Sequence, residues 1–375
     1  MITQNPGLYI HIPFCKTKCP YCGFYSVVSH SLIPRYMDAL EKEIMFYKEE
    51  FDRFDSLYIG GGTPTLLDNK DLGKIMDHLL KNFNFAQDSE ISIEANPGDL
   101  TLEKITGIKK LGFNRINIGI QSLNDKELLF LGRRHNAGEG KNALEKVRSC
   151  GFTNIGIDLI YGFEGQTRKG WSETLNQAIK FKPEHISCYE LTFEKGTPFW
   201  KMKEKGKIKT LPEEEGRDFF LMTSEFLEGN GYIHYEISNF ARERAFYSRH
   251  NWKYWQHIPY LGLGPSSHSF KATCRWWNFR SIRKYCDTLE HKKSPVEGWE
   301  NLTKKQLQLE SVSLGLRTIE GFHIGEINNN TKMKYRISKL QNEELIMIRE
   351  GRIVPTKKGF LVADIIPLYL SPDSC

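Results

Sequence analysis

Short hydrophobic runs alternate with amphipathic segments over the first half of the chain. The short runs predict six β-strands, at residues 8–12, 56–59, 90–94, 115–120, 154–160 and 185–191. Apolar residues at helical spacing follow the first five of them, over residues 32–51, 70–82, 102–111, 125–131 with 138–150, and 169–181. Since parallel neighbours need crossover connections, the alternation predicts one parallel α/β sheet, either flat and doubly wound or an open six-stranded barrel.

The pattern changes after about residue 196. A Lys/Glu-rich connector (198–210) precedes a helical segment (213–228), and residues 232–279 are short-stranded and rich in aromatic side chains. Further helical patterns cover 303–316 and 332–344, and the tail then predicts a hairpin (345–349, 353–356) and a last helix (358–370). We therefore expect two domains, 1–230 and 231–375, the second a smaller α+β domain with a winged-helix-like tail used for packing or as a lid.

Composition narrows the class of protein. Of 375 residues, 39% are hydrophobic and 26% charged, which favours a folded globular chain. A net charge of +6 is too dilute to indicate a nucleic-acid partner. No apolar run is long enough to span a membrane, and the N-terminus lacks the pattern of a secretory signal. These features predict a cytoplasmic protein whose thiols stay reduced.

Three cysteines lie in one loop directly after the first predicted strand. Cys15, Cys19 and Cys22 have the spacing C-x3-C-x2-C, with Tyr21 before the last. Structural zinc needs a fourth protein ligand, usually from a second Cys/His pair, and none follows at that spacing. A [4Fe–4S] cluster suits three thiolates better, because its fourth iron stays open to a substrate. The alternative is three buried structural cysteines.

Polar and glycine residues mark the ends of the next strands. The segment 60–64 (Gly-Gly-Gly-Thr-Pro) permits close backbone approach, and its freed amides could bind a carboxylate. Glu94, Gln121 and Asp158 lie at the ends of, or within, later strands. A buried acid must be paired or bind a ligand. These residues therefore predict a pocket, with internal ion pairs as the alternative.

The cysteine spacing resembles the signature of the radical S-adenosylmethionine (SAM) superfamily. That resemblance implies an open (β/α)6 barrel with a [4Fe–4S] cluster on the loop after the first strand. It also implies that Cys15, Cys19 and Cys22 bind three irons, while the fourth chelates the amino and carboxylate groups of SAM. The protein would supply orientation and a dry pocket for chemistry that the cofactor performs.

One branch of the superfamily is similar over nearly the whole chain. Segments 8–15, 58–65, 119–122 and 262–269 resemble the oxygen-independent coproporphyrinogen III oxidase family and its sister, the HemW group. In that family the residues that contact SAM correspond here to Tyr9, Tyr21, Gly61, Gly62, Thr63, Glu94, Gln121, Arg133 and Asp158. Arg134 is an alternative to its neighbour Arg133.

Two features separate the sister groups. The cysteine motif of the oxidases resembles C-x3-C-x2-C-x-C, with a fourth cysteine two places after the third. In this chain Phe24 stands at that place. Residues 250–255 match the H-N-x-x-Y-W motif of the HemW group, which is associated with heme binding. The resemblance therefore implies heme contacts from His250, Asn251, Tyr254 and Trp255. A neutral imidazole can ligate heme iron; His234, His257 and His268 are alternative ligands, and a structural aromatic cluster is the alternative role of the motif.

The resemblance favours a heme chaperone over an enzyme. Such a protein would bind heme, a [4Fe–4S] cluster and SAM, and would pass heme to an acceptor protein such as one of a respiratory chain, with electrons from a donor protein. The alternative is radical oxidative decarboxylation of coproporphyrinogen III to protoporphyrinogen IX. A tRNA-modifying radical enzyme fits less well because of the low net charge. A homodimer and a peripheral membrane contact are compatible with these expectations.

Overall fold

The computed structural model describes residues 5–327 and 330–370 and centres on six parallel strands in sequence order. The strands are β1 (Gly7–Ile12), β2 (Phe54–Gly61), β3 (Phe85–Ala95), β4 (Arg115–Gln121), β5 (Ile155–Tyr161) and β6 (His185–Glu190). The intervening helices are α1 (Ile33–Tyr47), α2 (Asn69–Asn82), α3 (Leu102–Lys110), α4 (Asp125–Phe130), α5 (Ala137–Ser149) and α6 (Arg168–Lys180). All six predicted strands and their crossover helices are confirmed.

Alternation along the strands explains why this sheet forms. Each strand has an isoleucine that faces the covering helices and is fully buried. These side chains are Ile10, Ile59, Ile93, Ile118, Ile157 and Ile186. The neighbouring position on every strand is polar or aromatic and faces the opposite side of the sheet. Helices α2 to α6 begin at polar caps that satisfy free amides, for example Thr101 before α3 and Asn136 before α5, whereas α1 begins after Leu32 without a side-chain cap.

Further strands extend this sheet at both edges. They are β7 (Ile233–Glu236), β8 (Asn239–Ala241), β9 (Tyr260–Leu263), β10 (His268–Lys271), β11 (Cys274–Asn278) and β12 (Val296–Asn301). The strand order is β12-β11-β10-β9-β1-β2-β3-β4-β5-β6-β8-β7. Because β9 pairs with β1 and β8 pairs with β6, the six central strands do not close on each other. The expected open (β/α)6 barrel is confirmed.

Four helices connect these outer strands: α7 (Pro198–Glu204), α8 (Glu213–Gly229), α9 (Arg249–Trp255) and α10 (Ile282–Glu290). Helix α7 lies inside the segment that the sequence predicted to be a connector. Thr197 caps it and Pro198 occupies its first turn, so local signals for a helix were present. No helix in residues 5–327 or 330–370 combines the length and hydropathy that crossing a membrane requires.

The C-terminal part has its own small sheet and hydrophobic core. It comprises α11 (Lys304–Gly315), β13 (Phe322–His323), α12 (Thr331–Asn342), β14 (Ile346–Arg349), β15 (Arg352–Pro355), α13 (Lys357–Phe360) and α14 (Ile365–Tyr369). The strands pair in the order β13-β15-β14, so the predicted hairpin is present as β14 and β15, and β13 is an additional strand beside it. The predicted last helix is split into α13 and α14. The boundary between residues 230 and 231 stays a prediction, and strands from both sides of it share the large sheet.

Candidate functional site

Every parallel strand contributes at least one side chain to the wall of a shared space of about 1190 Å³, which we call the barrel cavity. One side chain from each strand, in strand order, gives the set Tyr9, Tyr58, Glu94, Asn117, Asp158 and Ser187. They are the positions beside the buried isoleucines, so alternation along the strands places a polar lining opposite the apolar core. This arrangement is typical of ligand sites, in which a few polar groups converge in a largely preformed cavity.

The cysteine loop leaves β1 and closes on itself beside this cavity. The amide of Cys15 donates to the carbonyl of Val27 at 3.0 Å, and the amide of Val27 donates to the carbonyl of Pro13 at 2.7 Å. Within the loop, the amide of Cys22 donates to the carbonyl of Cys19 at 3.1 Å. Cys15 is buried, whereas Cys19 and Cys22 are partly exposed. The closed loop therefore presents three thiols from one short segment.

Two polar groups contact the sulfurs of this loop. The Thr63 hydroxyl donates to Cys15 Sγ at 3.5 Å. Arg133 Nη1 lies 3.5 Å from Cys19 Sγ and 3.5 Å from the Tyr21 hydroxyl. Burial raises the pKa of the Cys22 thiol. Two of the three sulfurs therefore have a polar contact from outside the loop, and the third has a desolvated thiol.

The three thiols fit an iron–sulfur cluster better than a single ion. Within residues 5–327 and 330–370, no three His, Cys, Asp or Glu side chains are gathered so that they could hold one metal ion. Structural zinc needs such a set. A cubane cluster binds each thiolate through a different iron, so its cysteines need not meet at one point. Cys15, Cys19 and Cys22 are all free of disulfide bonds.

The glycine-rich segment after β2 braces the cysteine loop. The amides of Gly62 and Thr63 donate to the carbonyls of Ile12 and Phe14, each at 2.8 Å. The amide of Gly61 donates to Glu94 Oε2 at 3.0 Å. All three amides thus have partners within the protein, and the carboxylate that one of them binds is that of Glu94; contact of this segment with a ligand stays a prediction.

Glu94 is the most strongly held acid of the barrel cavity. The Tyr58 hydroxyl donates to Glu94 Oε1 at 2.9 Å, and the Gly61 amide holds the other oxygen. Burial first, and then the charge of Asp158, raise the pKa of Glu94 to about 7. Burial also raises the pKa of Asp158, although Asn117 donates to its Oδ2 at 2.8 Å. Both acids therefore pay a desolvation cost, as acids poised for a cationic ligand do.

Gln121 and Arg133 carry polar atoms that are buried without a partner. Gln121 Oε1 and Arg133 Nε make no hydrogen bond. Gln121 has the left-handed φ of +66°, an uncommon conformation for a residue with a side chain. Arg133 Nη2 donates to the carbonyl of Gly119 at 2.7 Å. Unsatisfied buried polar atoms and local backbone strain both concentrate at binding sites.

Arg134, the alternative to Arg133, faces a different group. Its Nη2 lies 3.1 Å from Asp99 Oδ2, and Lys16 contacts the same carboxylate at 2.7 Å. Arg133 is the member of the pair that touches the cysteine loop.

The residues predicted to bind SAM are thus gathered in one region. Five of them line the barrel cavity: Tyr9, Tyr21, Glu94, Gln121 and Asp158. Gly61 and Arg133 touch cavity residues through Glu94 and Tyr21, whereas Gly62 and Thr63 hold the cysteine loop.

The predicted heme motif forms helix α9. His250, Asn251 and Tyr254 line the barrel cavity, whereas Trp255 does not. His250 is 1% exposed; its Nδ1 lies 3.1 Å from Ser56 Oγ and its Nε2 lies 2.8 Å from the Tyr254 hydroxyl. Burial, with a contribution from Lys253, lowers the pKa of His250 to about 3. The imidazole is neutral, as predicted, but both of its nitrogens are engaged.

The other candidate histidines differ in what their rings contact. His234 is buried, with Nδ1 at 3.0 Å from Ser224 Oγ and Nε2 at 3.3 Å from the carbonyl of Ile237. His257 Nε2 lies 2.9 Å from Glu310 Oε2. His268 is exposed and stacks on Trp277, with 6.0 Å between the ring centroids.

The sequence analysis did not identify four further polar residues that line the barrel cavity. Arg115 and Asn117 on β4 and His185 and Ser187 on β6 all line it. His185 Nδ1 is buried without a partner, and its Nε2 lies 2.7 Å from the Tyr235 hydroxyl. The signal that could have found the β4 pair is its alternation, since residues 115, 117, 119 and 121 share one face of the strand.

Comparison with known proteins agrees with this geometry. The model of the Radical SAM superfamily matches residues 9–178. The heme chaperone HemW of Bacillus subtilis is 35% identical over 318 residues, which cover 84% of this chain and 83% of that protein. HemW of Lactococcus lactis is 32% identical and the match covers 96% of both chains. The chain belongs to the HemW family of heme chaperones.

The solved structure of coproporphyrinogen III oxidase from Escherichia coli, a radical SAM enzyme, has the same fold as this HemW family member. The TM-score is 0.84 at 25% identity, over 99% of this chain and 91% of the oxidase. The similarity extends past the barrel, so the outer strands and the C-terminal part follow the same plan. Phe24, at the place of the oxidases' fourth cysteine, is 70% exposed and lines the barrel cavity.

Proposed function

We propose that this protein is a heme chaperone that carries a [4Fe–4S] cluster with SAM in the barrel cavity, binds heme and delivers it to an acceptor protein. Membership of the HemW family is the observation that carries this proposal. Two groups of residues support it, one around the cysteine loop and one around helix α9.

The cluster would be held by Cys15, Cys19 and Cys22. When bound with SAM, it supplies one-electron reduction of a sulfonium. Arg133 compensates the negative charge of Cys19, and the Thr63 hydroxyl donates to Cys15. The braced loop keeps the three thiols at the mouth of the barrel.

The SAM site is proposed to use the nine residues of the sequence analysis. Glu94 and Asp158 would offset the positive charge of SAM, and their ionised forms would then be favoured. The partnerless Gln121 Oε1 can accept a hydrogen bond from the ligand, and the partnerless Arg133 Nε can donate one. Tyr9 and Tyr21 line the cavity and would give flat contact surface to the ligand.

Heme is proposed to bind next to helix α9, whose His250, Asn251, Tyr254 and Trp255 stay predicted contacts. Ligation of iron by His250 requires release of its Nε2 from the Tyr254 hydroxyl. An acceptor protein, an electron donor, a homodimer, a peripheral membrane contact and a cytoplasmic location also stay predictions.

A transfer assay tests the proposed function. The anaerobically reconstituted protein, loaded with one equivalent of hemin, is mixed with apomyoglobin, and the absorbance of holomyoglobin is followed. We expect saturable hemin binding and transfer faster than from hemin on serum albumin. Absence of hemin binding by protein with a full cluster would contradict the proposal.

Coproporphyrinogen III oxidase activity is the second candidate, favoured by the structural similarity to that enzyme. The same reconstituted sample is incubated with coproporphyrinogen III, SAM and dithionite, and the porphyrins are separated after oxidation. We expect no protoporphyrin. Its formation in a cluster-dependent manner would replace the chaperone with the oxidase.

A further inference from the structure

A second cavity of about 450 Å³ lies beside the barrel cavity, and we call it the side cavity. Tyr9, Gly23, Phe24 and Tyr254 line both, so the two share a wall next to the cysteine loop. The remaining lining comes from His11, Tyr25, Tyr260, Ser266, Ser267, His268 and Arg280. Its volume lies within the usual range for ligand sites.

His268 is the available imidazole of this cavity. Its side chain is exposed, and no described residue makes a hydrogen bond with its ring nitrogens, in contrast to His234, His250 and His257. The Trp277 ring lies alongside, with 6.0 Å between the ring centroids. A ring nitrogen without a hydrogen-bond partner is available to donate a lone pair to a metal.

Arg280 supplies a free positive charge on the same cavity. Its guanidinium lies over the Tyr25 ring at 5.9 Å from the centroid, and it has no carboxylate partner in the described part of the chain. An arginine in this state suits a ligand carboxylate, which it can bind with two parallel hydrogen bonds. Phe24 adds a large exposed apolar ring at the rim. A metal ligand, an anion site and an apolar face thus surround one opening.

Buried hydrogen bonds hold the turn that precedes His268. Buried Glu43 accepts from the amide of Gly264 at 2.7 Å and from the hydroxyl of Tyr285 at 2.6 Å. Asn278 donates to the carbonyl of Gly264 at 3.0 Å and to Glu43. Ser266 has a left-handed φ of +65°. Such strain persists only where the surroundings over-determine it, as they do at binding sites.

We propose that the side cavity is the heme-docking site, with His268 as the iron ligand and Arg280 as the partner of a propionate; of the four predicted α9 contacts only Tyr254 would then touch heme, and His268 would replace His250 as the ligand. This inference rests on the proposed heme chaperone function and names its ligand. A heme there would lie against the wall of Tyr9 and Tyr254, adjacent to the barrel cavity, and its outer edge would stay exposed. An exposed edge suits a protein that must hand its heme on.

Hemin titration of the full-length protein tests the assignment. His268→Ala is expected to move the Soret maximum and to weaken binding about tenfold or more, because a metal–ligand bond is lost. Arg280→Gln is expected to weaken hemin binding about tenfold with an unchanged Soret maximum, because a charge-assisted hydrogen bond is lost. Hemin dimethyl ester, whose propionates are blocked, should bind wild type and Arg280→Gln equally.

Matched controls separate the outcomes. His291→Ala and Arg283→Gln change exposed residues outside the side cavity and should leave the spectrum and affinity unchanged. A His268→Ala protein with wild-type spectrum and affinity overturns the assignment, and if His250→Ala then loses the Soret shift, the chaperone function stands with a different ligand. Failure of the wild type to bind hemin removes both the docking site and the proposed function.

Discussion

Glu94 and Gln121 lower the stability of the folded protein while the barrel cavity holds no ligand. Glu94 is an acid without a cation, and Gln121 has an oxygen without a donor and a left-handed backbone. Each feature destabilises the fold by about 1–3 kcal/mol when no ligand is present. Such local costs are expected at sites where a ligand supplies the missing partners.

Substitution of Glu94 gives a pH-dependent prediction. Burial raises the pKa of Glu94 in the folded protein from the ordinary 4.5 to about 7, so wild type loses stability as the pH rises from about 4.5 to 7. Glu94→Gln does not titrate and avoids this loss. Relative to wild type, the variant should therefore gain up to about 3 kcal/mol in unfolding free energy between pH 5 and pH 8.

Urea unfolding at the two pH values, without SAM, measures this difference. Exposed Glu103→Gln is the control and should follow wild type at both. Equal stability differences for Glu94→Gln at pH 5 and pH 8 would show that the carboxylate is ionised throughout.

For individual residues, the sequence predicted which side chains share the pocket, but not which side chains they contact. The positions of Glu94, Gln121 and Asp158 at or within strands predicted a shared pocket, and all three line the barrel cavity; Tyr9 was expected there only from the family resemblance. The sequence could not show that Arg134 pairs with Asp99, or that Ser56 and Tyr254 occupy both nitrogens of His250. Those partners come from distant segments, and pairing between segments is a tertiary property.

At the scale of elements, the loop after β2 depends on Gly61. Its φ is +110°, and a Cβ there would lie 2.7 Å from the ring of His11. Gly61→Ala should therefore destabilise the protein through both backbone strain and overpacking, by about 2–4 kcal/mol. It should also weaken SAM binding, because the segment after β2 braces the cysteine loop.

Gly112→Ala is the matched control for this change. Its φ is +93°, but a Cβ would meet nothing within 4 Å. It should cost about 1 kcal/mol from strain alone and leave SAM affinity unchanged. Equal losses of stability in thermal or urea unfolding for the two variants would mean that contact with His11 does not constrain the loop.

Most elements could be predicted because their local signals agree with the fold. Strands β1 to β6 are apolar on one face, and helices α2 to α6 have polar caps. Helix α7 was missed because Lys and Glu dominate its segment, although Thr197 and Pro198 signal its start. The split of the last helix into α13 and α14 was missed because its apolar spacing continues across the break.

At the scale of the whole molecule, the sequence gives the least information about which distant segments lie side by side. Strands β9 and β10, more than 240 residues after β1, bring His268 beside the cysteine loop. Parallel pairing of β9 with β1 has no local signature, since it depends on a long crossover. The resemblance to a known family implied the barrel, but only the structure shows that the barrel cavity and the side cavity share a wall.

Three thiols of one loop are proposed to hold a cluster whose open iron binds SAM beside a heme site. Electron paramagnetic resonance of the reduced, oxygen-shielded protein, recorded with and without SAM, is the direct test. We expect a [4Fe–4S] signal that shifts when SAM is added and disappears in a Cys19→Ala variant. Protein that contains zinc instead of iron, or a cluster signal that SAM leaves unchanged, would contradict it.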